Sequence, residues 1–191
     1  NGSTSSSITV GPTSTTTYTV TGTSANGCTG TASIQITVNP LPIVNVTATS
    51  RDICVGESST ITATSNISGS TFLWSNGSTT SSITVSPGTT TNYNVTVTSP
   101  EGCVTTGSVT INVYPNPVLT ISSSATEICN GGSATISVSS SISGTTYQWS
   151  NGSTSSSITV GPTSTTTYTV TGTSANGCTG TASIQITVNP L

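Results

Sequence analysis

Histidine, lysine and methionine are absent from this 191-residue chain, and the only cation is Arg51. General acid–base catalysis needs titratable groups gathered together with shifted pKa values. Four scattered carboxylates, Asp52, Glu57, Glu101 and Glu127, do not make such a set, so no catalytic residue is expected. Serine is abundant, but a hydroxyl without a base to activate it is only a hydrogen-bonding group. One arginine cannot neutralise a run of phosphates, which excludes nucleic acid as a partner. No run of about 20 apolar residues is present, so no membrane insertion is expected. The cysteines, Cys28, Cys54, Cys103, Cys129 and Cys178, include no Cys-x-x-Cys pair, and no loop gathers carboxylates. Neither tetrahedral zinc nor calcium therefore finds its ligands, and no metal or cofactor is expected.

What the chain does have is repetition. Residues 1–41 recur letter for letter as residues 151–191. Beneath that lies a weaker period of 75, in which Trp74 answers Trp149, Cys54 answers Cys129, and Tyr18, Tyr93 and Tyr168 form a series. Cys28, Cys103 and Cys178 form another. The chain reads as a window on a longer tandem array. Residues 1–41 are then the C-terminal part of a repeat, carrying its last three strands, while 42–116 and 117–191 are complete repeats. Half a core with unpaired strand edges is not self-sufficient. Residues 1–41 are expected to be completed by another chain or by preceding sequence.

Serine and threonine make up about two fifths of the chain while charged residues are 3%. Composition alone suggests a mucin-like stalk, but residue order argues otherwise. In Ser108-Val109-Thr110-Ile111-Asn112-Val113 and Tyr93-Asn94-Val95-Thr96-Val97-Thr98, apolar and polar residues alternate, the pattern of a half-buried strand. Turn sequences such as Ser75-Asn76-Gly77-Ser78 and Ser86-Pro87-Gly88 separate the runs. Within 42–116 the predicted strands are 43–49, 58–65, 71–75, 81–85, 92–98 and 105–113. That makes a small antiparallel all-β sandwich. Trp74 falls in the third strand, where immunoglobulin-like sandwiches keep a core tryptophan, and Tyr93 stands where a tyrosine corner would tie down the preceding loop. The mid-strand positions that hold the inter-sheet disulfide of antibody domains carry Ile61, Ala63, Val95 and Val97 instead.

Trp74 and Trp149 are the candidate sugar platforms, but strand alternation turns them away from that role. Leu73 of one repeat is Gln148 in the next, which marks that face as wet and places the tryptophans inside with Phe72 and Tyr147. The joints Asn39-Pro40-Leu41-Pro42 and Tyr114-Pro115-Asn116-Pro117 carry two prolines each. Pro40, Pro42, Pro115 and Pro117 fix φ and favour a semi-rigid linker, hence a rod-like array. Glu57 is Gly132 in the next repeat, as suits a tolerant surface position, whereas Asp52 and Glu127 correspond.

The series Ile-Cys-x-Gly-x-Ser (Ile53 to Ser58), Trp-Ser-Asn-Gly (Trp74 to Gly77), Thr-x-Tyr-x-Val (Thr91 to Val95) and Gly-Cys (Gly102, Cys103) resembles the immunoglobulin-like and PKD-like repeats of giant Bacteroidota surface proteins. It is also similar to the repeats of gliding-motility adhesins. The resemblance spans the chain and implies export by the type IX route into a cell-surface or secreted filament. Neighbouring repeats of the same array, and other copies of the chain in a fibre, are the expected partners. Any glycan or cell-surface ligand is expected through domains outside this stretch. Two functions from different classes follow: a structural stalk or filament shaft, and a multivalent glycan- or cell-binding module.

In an immunoglobulin-like topology two cysteine pairings compete. One joins the cysteines of a single repeat, Cys54 with Cys103 and Cys129 with Cys178. However, Cys54 lies where the first strand turns into the second, at the end where the chain leaves the repeat, and Cys103 lies at the opposite end. A strand of about nine residues separates them by roughly 30 Å, too far for a disulfide. The favoured alternative joins Cys54 to Cys178 across the joint at Pro115–Pro117, with Cys28, Cys103 and Cys129 paired to repeats outside this stretch. Such bonds fit an oxidising extracellular setting.

Overall fold

The computed structural model describes residues 2–190 and consists of strands and turns, with no helix among the described residues. Sixteen strands are present among the described residues. β1 (Thr16–Thr23) and β2 (Thr29–Ile36) form a hairpin. The middle sequence repeat contributes β3 (Val44–Ala48), β4 (Asp52–Cys54), β5 (Ser59–Ser65), β6 (Thr71–Trp74), β7 (Ser82–Val85), β8 (Thr91–Thr98) and β9 (Val104–Tyr114). The last repeat contributes β10 (Leu119–Ser123), β11 (Glu127–Cys129), β12 (Ala134–Ser140), β13 (Thr146–Trp149), β14 (Ser157–Val160), β15 (Thr166–Thr173) and β16 (Thr179–Asn189).

The 75-residue period is visible in the topology. A three-stranded sheet β3-β5-β7 and a four-stranded sheet β4-β9-β8-β6 are repeated, seven strands on, as β10-β12-β14 and β11-β16-β15-β13. The four-stranded sheets are mixed rather than purely antiparallel, because β4 runs parallel to β9 and β11 parallel to β16. These two short strands lie outside the predicted set. Each has three residues and buries one side chain, Ile53 or Ile128, too little to display an alternating pattern. Outer-face hydroxyls pair across strands, Thr60 with Thr84 at 3.2 Å and Thr62 with Ser82 at 3.1 Å, and Ser137 with Ser157 at 3.1 Å in the last repeat. Abundant Ser and Thr thus build hydrogen-bonded ladders on the wet side of the sheets.

The described chain gathers into two compact units. One comprises Asn1–Val46, Ala63–Ser81 and Asn94–Ser108; the other comprises Thr47–Thr62, Ser82–Tyr93 and Val109–Leu191. In the first, Val44 and Val46 of β3 close on Gly107 of β9, where a Cβ would approach Val46 to 2.8 Å; any larger residue would push the strand away. In the second, Ile128, Ala134, Ile136, Val138, Trp149 and Val170 anchor a continuous apolar core, with Leu119, Ile121 and Tyr168 packed against it.

Within the identical stretches 1–41 and 151–191, the described residues adopt different structures. Residues 157–160 form β14 by pairing with β12, whereas residues 7–10, expected as the first of three strands in 1–41, form none. Val170 is wholly buried and Val20 is 63% exposed; Ile158 is 7% exposed and Ile8 45%. A strand is made by its partner as much as by its own sequence, and residues 1–41 have no counterpart of β12 or β10 among the described residues.

Candidate functional site at the repeat joint

Among the described residues one disulfide is present, between Cys54 and Cys178, with Cα atoms 5.5 Å apart. Two kinds of turn present its sulfurs. Cys54 ends β4 and opens the turn Cys54-Val55-Gly56-Glu57, in which the Glu57 N–H donates to the Cys54 carbonyl at 2.9 Å. Gly56 supplies the left-handed φ of 94° that this turn needs. The Glu57 carboxylate accepts the Cys54 N–H at 2.8 Å, so Glu57, exposed as its replacement by Gly132 implied, is also tied into the turn. Cys178 closes the Ser174-Ala175-Asn176-Gly177-Cys178 loop between β15 and β16. There Ser174 N–H donates to the Cys178 carbonyl and Gly177 N–H to the Ser174 carbonyl, both at 2.9 Å, and Cys178 is fully buried.

The end of β9 joins the two. Cys54 pairs with Tyr114 in the parallel ladder, the Tyr114 carbonyl accepts the Val55 N–H at 3.0 Å, and Cys178 Sγ lies 3.8 Å from that same oxygen. Asp52 is the polar organiser. Its Oδ1 accepts from Asn112 Nδ2 at 2.8 Å and from the Tyr114 hydroxyl at 3.3 Å. Charge repulsion from Asp52 raises the Tyr114 pKa above the ordinary phenol value, assisted by desolvation and by the hydrogen bond to Asp52. Asn116 Nδ2 donates to the Val55 carbonyl at 3.2 Å and so ties the linker to the same turn. Pro117 is buried and Pro115 exposed. The Pro117 backbone runs flush against Gly180, where a Cβ would collide with the Pro117 carbonyl oxygen. Asp52, Asn112, Tyr114 and Asn116 were not singled out by the sequence as a group around this bond. Asp52 was marked only by its correspondence with Glu127 ahead of the Cys-x-Gly turn, and Tyr114 and Asn116 only by their place in the joint.

Cys28 and Cys129 are free and exposed, and Cys103 is free and half-buried. Cys103 closes a loop of the same build as Cys178, and its thiol donates to the Asn39 carbonyl at 3.8 Å. Pro42 is buried and Pro40 exposed, the same alternation as at the second joint. Trp74 and Trp149 are each 2% exposed, with their indole N–H groups donating to the Thr80 and Ser155 carbonyls at 2.8 Å. Neither offers a ring face to a sugar. Tyr93 is buried, while Tyr18 and Tyr168 are half-buried. No hydrogen bond of the Tyr93 hydroxyl is present among the described residues, so the tyrosine corner is replaced by a threonine tie. Thr90 Oγ1 accepts the Val113 N–H at 3.0 Å, and Thr165 and Thr15 do the same for Val188 and Val38 at 3.1 Å. A shallow groove of about 580 Å³ on the last repeat is lined by Tyr147, Gln148 and threonines including Thr146 and Thr173. No group of three His, Cys, Asp or Glu side chains comes together among the described residues.

Residues 115–190 match the family described as Ig-like domain CHU_C associated. None of the curated proteins matches the chain. Among solved structures, the N-terminal eight Ig domains of Down Syndrome Cell Adhesion Molecule isoform 1.30.30 are similar with a TM-score of 0.56 at 15% identity, over 91% of this chain and 28% of that one. The Ca2+-stabilized adhesin with which an Antarctic bacterium reaches out and binds ice gives 0.50 at 22% identity, over 93% of this chain and 57% of that one. This chain therefore spans less than two thirds of either structure. These likenesses speak to fold: the sheets are those of Ig-like β-sandwich repeats.

Proposed function

We propose that the chain is a structural segment of an extracellular adhesin stalk or filament, in which repeats 42–116 and 117–191 supply reach and stiffness and no catalysis. The observation that carries this reading is the Cys54–Cys178 bond, which fastens the Cys-x-Gly turn of one sequence repeat to the β15–β16 loop of the next. Tension applied to the ends of the chain passes through that bond and bypasses the 124-residue span it closes. An oxidising, extracellular setting is what such a bond requires. The family match over 115–190, together with the Cys-x-Gly, Trp-Ser-Asn-Gly and Asn-Gly-Cys motifs, supports a place among Bacteroidota surface repeats of the gliding-motility adhesin kind, exported by the type IX route.

Single-molecule stretching tests the load path. Reduction should add on the order of 400 Å of extensible length, at about 3.3–3.6 Å per released residue. An oxidised chain that already yields its full length would overturn the reading. The glycan-binding alternative has one structural feature in its favour, the groove at Tyr147 and Gln148. Specific retention of any sugar on a glycan array by the whole chain would select it instead.

A further inference from the structure

Residues 1–41 display a face whose complement is visible elsewhere in the same molecule. In the identical stretch 151–191, residues of 117–150 cover that face: β12 pairs with β14, β13 pairs with β15, and Trp149, Ile136 and Val138 bury Val170 and Ile158 in one core. Two glycines record the fit. Leu119 lies so close to Gly172 that a Cβ there would meet it at 2.8 Å, and the Pro117 carbonyl occupies the space beside Gly180. At Gly22 and Gly30, the same residues of the first stretch, nothing lies within 4 Å. The slots are cut and unfilled, and Val20 and Ile34 stand 63% and 64% exposed beside them.

A second, independent observation lies at the end of this face. Cys129 pairs with Asn189 in β11–β16, and Asn39 is the identical counterpart of Asn189. A β11-like strand laid along residues 37–39 would therefore bring its cysteine beside Asn39. The thiol already held against the Asn39 carbonyl is that of Cys103, as Cys178 is held against the carbonyl of Tyr114, the residue that Cys54 pairs with. The loop Ser99–Cys103 has the hydrogen bonds of Ser174–Cys178, 2.9 Å in both cases, so its geometry does not depend on the bond being made.

We propose that residues 1–41 and Cys103 form a docking site for the first half of a further repeat with the sequence of residues 117–150, and that its Cys129 bonds to Cys103. Two kinds of staple would then alternate along the array, Cys54–Cys178 at one joint and Cys129–Cys103 at the next. A folded second copy is not the occupant, because its own residues 117–150 are already covered by its residues 151–191. The bond forms by exchange with a small disulfide oxidant such as glutathione disulfide. The Cys103 thiolate attacks it and expels one glutathione thiolate. The Cys129 thiolate then attacks the Cys103 sulfur of the mixed disulfide and expels the second, so the two electrons leave on glutathione.

This inference rests on the tandem-repeat part of the proposed function, and its test is separate from the stretching experiment. The chain is extended by fusing residues 117–150 ahead of Asn1, which recreates the Ser150–Asn151 junction, and is folded in a glutathione redox buffer. Expected are a disulfide between the added Cys129 and Cys103 by peptide mapping, and at least a hundredfold slowing of amide exchange in Thr16–Ile36. Gly30→Val in the extended chain should abolish both while leaving exchange in Thr166–Asn189 unchanged, and Cys103→Ser should abolish only the bond. An added Cys129 that stays free or bonds to Cys28, with exchange unchanged, would overturn the proposal. So would a dimer of the unextended chain linked Cys103 to Cys129, which would make a second copy the occupant.

Discussion

At the scale of single residues the molecule carries its own control experiment, since one sequence appears in two environments. Val170→Ala removes two methyl groups from a fully buried site and should destabilise the last repeat by about 2 kcal/mol, the usual cost of a small cavity. Val20→Ala makes the same chemical change at a site that is mostly solvent and should stay within about 0.5 kcal/mol. Chemical denaturation of the two variants checks this, and equal effects would mean that Val20 is buried in solution. Tyr114 offers a second test. Its hydroxyl faces the Asp52 carboxylate, so the folded phenol holds its proton to higher pH than the unfolded one. The contribution to stability is accordingly full below the ordinary phenol value of 10.0 and is lost as pH rises through the folded value. Ultraviolet titration should show the Tyr114 phenol ionising late, and Asp52→Asn should bring it back towards the ordinary phenol value.

Elements differ in how far they can be seen in the sequence. The long strands β8, β9, β15 and β16 are legible, because each alternates over eight residues or more and both sides of the pattern matter to burial. β4 and β11 are not, since three residues in parallel pairing at a sheet edge leave no periodic trace. The Cys54–Cys178 link was reachable through topology, by asking which ends of successive sandwiches adjoin. The ring of Asp52, Asn112, Tyr114 and Asn116 around it was not, because those contacts join residues about 60 positions apart, a proximity that no local pattern reveals. The same short β4 protects the chain. The only trypsin site, Arg51–Asp52, is exposed in its side chain, but the Arg51 carbonyl accepts the Asn112 N–H at 2.7 Å and Asp52 begins the strand. A protease must pull about ten residues free before cutting, so native protein should survive trypsin for hours. Heated protein should give two pieces. Rapid native cleavage at Arg51 would show that β4 frays.

For the whole molecule, the decisive term is the one bond that spans 124 residues of sequence. Hydroxyl-rich sandwiches of 75 residues bury small cores, and domains of that size are marginal on area alone. A cross-link acts chiefly by shrinking the unfolded ensemble. In the chain-entropy account, a loop of roughly 60–120 residues is worth on the order of 4–5 kcal/mol. That exceeds the usual worth of a single small cavity or hydrogen bond and approaches the total stability of a small domain. Reduction, or the double change Cys54→Ser with Cys178→Ser, should therefore lower the melting transition of the last repeat by about 15–40 °C. Cys28→Ser, at the identical sequence position in an uncovered setting, should not move it. Calorimetry on the three proteins separates the effect of the bond from that of the residue. If oxidised and reduced chains melt together, the repeats hold without the staple and the stiffness assigned to it must come from the proline joints.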